Sequence, residues 1–189
     1  MGKIIFITGG VRSGKSAFAE KYAKQLFLTY GKKRLIYIAS GVAIDEEMAE
    51  RITRHQQDRL NSSVKWETIE IEDELIFKDD LFEESPVVLW DCLTTWLNNV
   101  LYKTESFNEE IRENEINRFI QTLKNQLFKW KEEKDCFLLL VSNELMDEPP
   151  SKFSEVNRYR SLLGELHQWM VANCDEAYEM DYSLSKRWK

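Results

Sequence analysis

The sequence predicts an α/β fold, a three-layer sandwich on a mainly parallel sheet, with a phosphate-binding loop near its amino end. Three observations carry this reading. Short continuous apolar runs recur along the 189 residues. Helical patterns separate them, an alternation that implies parallel strands joined by right-handed crossovers. Between the first apolar run and the first helical pattern stands a match to G-x-x-x-x-G-K-[ST], in the strand–loop–helix context that motif requires.

The first strand is expected over residues 3–8, around Ile4-Ile5-Phe6-Ile7. It leads into Gly9-Gly10-Val11-Arg12-Ser13-Gly14-Lys15-Ser16 and then a helix over 15–29. Further strands are expected at 34–39, 86–91 and 136–142, each apolar enough to be covered on both faces. Helical patterns fill 45–60, 92–103 and 108–133, and a last helix spans 154–173. A closing strand near 176–182 fits the pattern. With three prolines, seven glycines and no repeat, nothing marks a linker, so one domain over 1–189 is expected.

Composition narrows the function classes. Hydrophobic residues make up 43% and charged residues 31%, as in an ordinary globular protein. The net charge of −7 disfavours a nucleic-acid partner, because phosphate backbones select basic faces. The apolar runs are too short for a membrane span. The chain enters a strand at once, so no signal peptide is expected. Cys92, Cys136 and Cys174 are odd in number and lack zinc spacing, which suits reduced thiols in a cytoplasmic protein.

The chemistry concentrates at the carboxyl ends of the strands, where open α/β sheets bind ligands. Glycines let loop amides point at a phosphate, and the following helix adds its positive end. Lys15 would reach the β- and γ-phosphates, and Ser16 would hold Mg²⁺. Asp91 ends the run Val87-Val88-Leu89-Trp90, the arrangement of a metal-binding strand-end acid. The other reading of Asp91 is an N-cap for the next helix. His55 shares a helix face with Met48 and Ile52, and two roles are open to it. It could be a packed, inert histidine, or a nucleophile toward an α-phosphate with Arg51, Arg54 and Arg59 nearby. Ser142-Asn143-Glu144 also lies at a strand end, and reads as a polar site or as loop chemistry. For His167, and for Trp66 and Trp96, a packing role is expected. The acidic 105–116 segment reads as a solvated helix face.

These segments together resemble the bifunctional adenosylcobinamide kinase / adenosylcobinamide-phosphate guanylyltransferase family. The similarity rests on the loop from Thr8 to Ser16 with its Arg12-Ser13 pair, and on Tyr37-Ile38-Ala39-Ser40. It continues through Asp45-Glu46-Glu47-Met48, Arg51-Ile52, His55, Arg59 and Trp66-Glu67-Thr68-Ile69-Glu70. Asp91 to Asn99, Val141-Ser142-Asn143-Glu144, and Arg160, Gly164 and Gln168 extend it. The resemblance implies that a γ-phosphate passes to the side-chain hydroxyl of adenosylcobinamide, with ATP or GTP as donor. It implies that His55 then carries GMP from GTP to the new phosphate, giving adenosyl-GDP-cobinamide and pyrophosphate. It also implies that Ser40, Gly41, Arg59 and Glu70 line the nucleotide pocket, and that the chain forms a homo-oligomer. Glu70 or Asp91 could serve as base for the kinase step. A kinase of another small alcohol, or a non-catalytic GTP-binding homologue, are the alternatives. The chain departs from the family pattern at Leu145-Met146-Asp147-Glu148-Pro149-Pro150, where a Gly-x-Gly-Ile-Val-Pro stretch is usual. It also has His167 in place of asparagine, and Asp181 to Lys186 in place of a glycine-rich strand.

Overall fold

A computed structural model describes residues 2–40, 53, 57, 59, 62, 64–71, 83–145 and 149–189. The described elements are β1 (Lys3–Gly9), α1 (Lys15–Thr29), β2 (Leu35–Ala39), β3 (Glu67–Glu70) and β4 (Val87–Asp91). They continue with α2 (Leu93–Thr104), α3 (Glu109–Glu133), β5 (Phe137–Asn143), α4 (Ser154–Asn173), β6 (Glu176–Asp181) and β7 (Leu184–Arg187). Thr53, Gln57 and Arg59 are helical, inside the 45–60 pattern.

The strands form one sheet in the order β3-β2-β4-β5-β1-β6-β7. Every pairing is parallel except β6 with β7. The strand that carries the glycine loop is therefore central. β5 lies between it and β4, the strand that ends in Asp91.

Strand residues alternate between the two faces, and each face has its own core. Ile5, Ile7, Leu35, Tyr37, Val87, Leu89, Leu139 and Val141 pack with Ala19, Ala23 and Leu26 of α1. The small alanines let α1 lie close on the sheet. Ile4, Phe6, Ile36, Ile38, Val88, Trp90, Leu138 and Leu140 pack with α2, α3 and α4. That second core is the larger, and Trp90, Trp96 and Trp130 are almost completely buried in it. The three-layer arrangement expected from the alternating pattern is present, and Trp96 is core as expected.

Two strands went unread in the sequence. β3 is a four-residue edge strand whose Ile69 packs inward while Thr68 and Glu70 are exposed. β7 is exposed along its whole length, so no apolar pattern announces it. The β6–β7 turn is made by Tyr182 and Ser183 at φ 46° and 62°, without the glycine or asparagine that usually marks such a turn. The acidic segment is mostly an exposed face, with Ile116 and Arg112 as its two buried residues. Arg112 is buried there and pairs with Glu155 at 2.7 Å.

Candidate functional site: a phosphate loop at the carboxyl edge of the sheet

The loop after β1 is shaped by its glycines and held from outside by the β6–β7 turn. Gly14 sits at φ 89°, and a Cβ there would lie 2.9 Å from the Ser183 hydroxyl. A Cβ at Gly9 would collide with the Met180 carbonyl oxygen. Gly10 has no atom within 4 Å of such a Cβ, so neither sterics nor φ demands glycine there. Ser183 N–H donates to the Ser13 carbonyl at 2.9 Å, and Glu144 N–H donates to the Gly9 carbonyl at 2.9 Å. The segment that departs from the family pattern near residue 183 thus braces the loop itself. Val11 is 67% exposed on its rim, and Arg12 adopts a positive φ of 62°.

The loop ends at the amino terminus of α1. Its N-cap is Gly14, no side chain caps the helix, and the first turn holds no acid. Such an end, with first-turn amides uncapped by a side chain and the positive end of the helix dipole, suits an anion. Lys15 is only 8% exposed, and its ammonium group bonds the Gly10 carbonyl at 3.0 Å across the loop. Ser13 is buried as well, and its Oγ has no hydrogen-bond partner among the described residues. A buried hydroxyl without a partner is costly, and an incoming phosphate oxygen would satisfy it.

Strand parity decides what joins the loop. Asp91 continues the row Val87, Leu89 and so faces the α1 side. Its Oδ2 accepts a hydrogen bond from the Tyr37 hydroxyl at 3.3 Å. Burial above all, then the Asp91 charge, pushes the Tyr37 phenol well above its ordinary range, so it remains a donor. Arg59 lies over the Tyr37 ring with its guanidinium carbon 3.7 Å from the centroid. Its Nη1 is 3.9 Å from Glu20 on α1. Arg59 is buried, yet its Nε and Nη1 have no hydrogen-bond partner among the described residues. Asp91, Tyr37, Arg59 and Glu20 thus form one polar chain on the loop side of the sheet. The N-cap role weighed for Asp91 does not hold: Cys92 occupies that position, without a side-chain cap.

Other expected residues fall elsewhere. Ser40 lies at the expected strand end, but its side chain does not face the nucleotide side. It continues the row Ile36, Ile38 and accepts the Trp90 indole N–H in the opposite core, fully buried. Parity, readable from the sequence, would have shown this. Glu70 is exposed at the end of β3, in register with Ala39. Gly41 and His55 lie outside the described residues. His167 is packed, as expected, but also bonded. Its Nε2 is 2.7 Å from Ser142 Oγ and its ring meets Phe6 edge-on. Burial lowers its pKa to about 4, so the ring is neutral near pH 7. Trp66 is half-buried and meets Tyr37 edge-on.

Among the described residues no group of three or more His, Cys, Asp or Glu forms a metal cage. The donors at hand are the Ser16 hydroxyl and the Asp91 carboxylate. Such a sparse oxygen set suits Mg²⁺, which keeps waters and binds through substrate phosphates.

A glycine loop with a buried lysine, an uncapped helix end and a strand-end acid on a parallel sheet define a P-loop nucleotide-binding protein. The flagellar accessory protein FlaH from Methanocaldococcus jannaschii shares this fold, with a TM-score of 0.51 at 14% identity over 99% of this chain and 78% of that one. A family model described as cobinamide kinase / cobinamide phosphate guanyltransferase matches residues 5–184, and the chain belongs to that family. The bifunctional adenosylcobalamin biosynthesis protein CobU of Escherichia coli (strain K12) is 30% identical over 184 residues, 93% of each chain. CobP of Pseudomonas aeruginosa, with the same description, is 32% identical over 174 residues, 89% of this chain and 87% of that one.

Proposed function

We propose that this chain phosphorylates adenosylcobinamide and then transfers GMP from GTP to the adenosylcobinamide phosphate, a two-step role in cobalamin biosynthesis. The observation that carries this reading is the family match over residues 5–184, combined with a loop whose lysine, amides and Ser13 hydroxyl, which lacks a partner among the described residues, suit a triphosphate.

In the kinase step the corrinoid hydroxyl attacks the γ-phosphorus, and the bond to the β-phosphate oxygen breaks. The residues position and neutralise charge. Lys15 and the loop amides hold the phosphate oxygens. Ser16 and Asp91 would hold Mg²⁺, which when bound offsets charge on the transferring group. The Nε and Nη1 of Arg59, which lack a hydrogen-bond acceptor among the described residues, suit a further phosphate oxygen. ATP and GTP are both candidate donors.

In the second step an imidazole nitrogen of His55 attacks the α-phosphorus of GTP. A P–N bond forms and pyrophosphate leaves. The corrinoid phosphate then attacks the same phosphorus, the P–N bond breaks, and the imidazole is regenerated. The resemblance around Arg51-Ile52, His55 and Arg59 supports this role.

We read the chain as one domain and as a cytoplasmic protein without a nucleic-acid partner. Three free cysteines suit a reducing compartment, and no described helix is long and apolar enough to cross a membrane. A homo-oligomer is part of the reading. The edge strand β7 leaves Leu184 75% exposed, with Trp188 60% exposed just beyond it.

Incubating the protein with α-labelled GTP tests the transferase step. Wild type is expected to carry label through denaturing electrophoresis, whereas His55→Ala carries none and still binds nucleotide at the loop. Label retained by His55→Ala would remove His55 from the mechanism.

A further inference from the structure

The strand between the glycine loop and Asp91 ends in a polar residue that neither step above uses. Parity places it. Phe137, Leu139 and Val141 of β5 pack on the α1 side, so the next residue in that row, Asn143, faces the same side as Asp91 and the loop. Register fixes its height. Asn143 pairs with Gly9, the first glycine of the loop, while Asp91 pairs with Val141. Asn143 therefore stands two residues, about 6–7 Å, beyond the level of Asp91, one strand away from each neighbour.

Its backbone is held on three sides. Asn143 N–H donates to Thr94 Oγ1 at 3.1 Å. Ser142 before it is fully buried and bonded to His167 at 2.7 Å. Glu144 after it donates its N–H to the Gly9 carbonyl at 2.9 Å. Thr94 is itself fixed, since its carbonyl accepts the Tyr159 hydroxyl at 3.1 Å. The carboxamide so presented is half-buried and has no hydrogen-bond partner among the described residues. A polar side chain carried on a braced strand end, on the face that also carries the phosphate loop and the strand-end acid, is suited to act as a donor there.

We propose that Asn143 is a positioning residue for the kinase reaction. Its side-chain N–H₂ donates to an oxygen of the terminal phosphate of the bound triphosphate and holds that group in line for attack. It adds no charge and removes no proton. The role rests on the reading of the loop as a kinase site. It also gives a role to the buried histidine on the opposite face of β5: His167, through Ser142, holds the strand end that carries the donor.

The test is binding and rate together, on Asn143→Ala and Asn143→Asp. Binding uses the α,β-methylene analogues of GTP and GDP, which resist transfer at the α-phosphorus. Wild type is expected to prefer the triphosphate. Asn143→Ala should lose about tenfold or more of that preference by losing triphosphate affinity alone, and Asn143→Asp should lose more, because a carboxylate opposes the phosphate charge. Phosphorylation of adenosylcobinamide should fall about tenfold to a hundredfold in kcat, with little change in KM for the corrinoid. A structural role would instead lower Tm and weaken both analogues in parallel. That outcome, or an unchanged triphosphate preference, overturns the proposal. If wild type phosphorylates no corrinoid, the kinase reading fails, and the ratio of analogue affinities still decides the role of Asn143.

Discussion

The two faces of the sheet treat strand-end polar residues in opposite ways. On the face covered by α2, α3 and α4, Ser40 is bonded to Trp90 and Ser142 to His167, and all four side chains are buried. On the α1 face, Ser13 in the glycine loop and the helical Arg59 keep buried polar atoms without a partner among the described residues, and Asn143, one residue beyond Ser142, is half-buried with its backbone N–H bonded to Thr94. The contrast is a division of labour between the two faces, and at Ser142 and Asn143 it falls on adjacent residues. One face closes its hydrogen bonds and supplies rigidity. The other leaves them open for an anionic substrate. Thr8 is one exception on the closed face, with the Arg112 Nε on α3 another: Thr8 is in register with Ser142, and its Oγ1 is buried without a partner among the described residues.

The largest test of this contrast is Lys15→Ala. It removes the buried ammonium group from the loop face, and phosphoryl transfer should fall about a thousandfold or more, since catalysis there is mostly electrostatic positioning. Circular dichroism should show an unchanged fold. A fall of less than tenfold would mean that the loop does not hold the reacting phosphates.

His167 breaks the closed face in a pH-dependent way. Its folded pKa of about 4 lies below the ordinary 6.5, so the unfolded chain takes up the proton first as pH falls. The stability it supports is fully present above pH 6.5 and is lost as pH drops toward 4. The loss should reach roughly 3 kcal/mol. Urea unfolding at pH 7.5, 6.5, 5 and 4 measures it. Glu144, 3.9 Å from Nδ1, is the acidic group facing the ring. In His167→Asn the dependence between pH 6.5 and 4 should flatten, and an undiminished slope would assign it to other groups.

Gly14→Ala should cost about 2 kcal/mol or more and weaken triphosphate binding, because alanine at φ 89° is strained and its Cβ crowds Ser183. Gly10→Ala should change stability by less than about 0.5 kcal/mol. Thermal melting of the pair separates a glycine required by shape from one that is not, and equal losses would contradict the loop geometry.

Arg59→Met is the smallest effect. Replacing the incompletely bonded buried guanidinium by an apolar side chain removes a desolvated charge but also leaves Glu20, 3.9 Å away, without this ion pair, so stability should change by no more than about 1 kcal/mol. Nucleotide affinity should drop at the same time. A variant that is less stable by well over about 1 kcal/mol and fully active would place Arg59 with the closed face.

Much of this layout was legible in the sequence. The apolar runs and helical patterns are long and periodic, so β1, β2, β4, β5 and the four described helices fall within two residues of expectation. The glycine loop and Asp91 were found because their residue types are constrained by chemistry. What stayed hidden was set by pairing rather than pattern. β3 and β7 are short edge strands with little to bury, and the Tyr182-Ser183 turn uses residues that do not advertise a positive φ. Ser40 and Asn143 show a different gap. Both stand at strand ends, and only the row each continues tells which faces Trp90 and which faces the loop.

The most direct measurement is mass spectrometry of protein and corrinoid after incubation with GTP, Mg²⁺ and adenosylcobinamide. The account predicts a corrinoid phosphate, then a GDP-linked corrinoid, and a protein species heavier by one GMP that disappears when corrinoid phosphate is added. Unmodified corrinoid beside an unmodified protein that nonetheless binds GTP would contradict it.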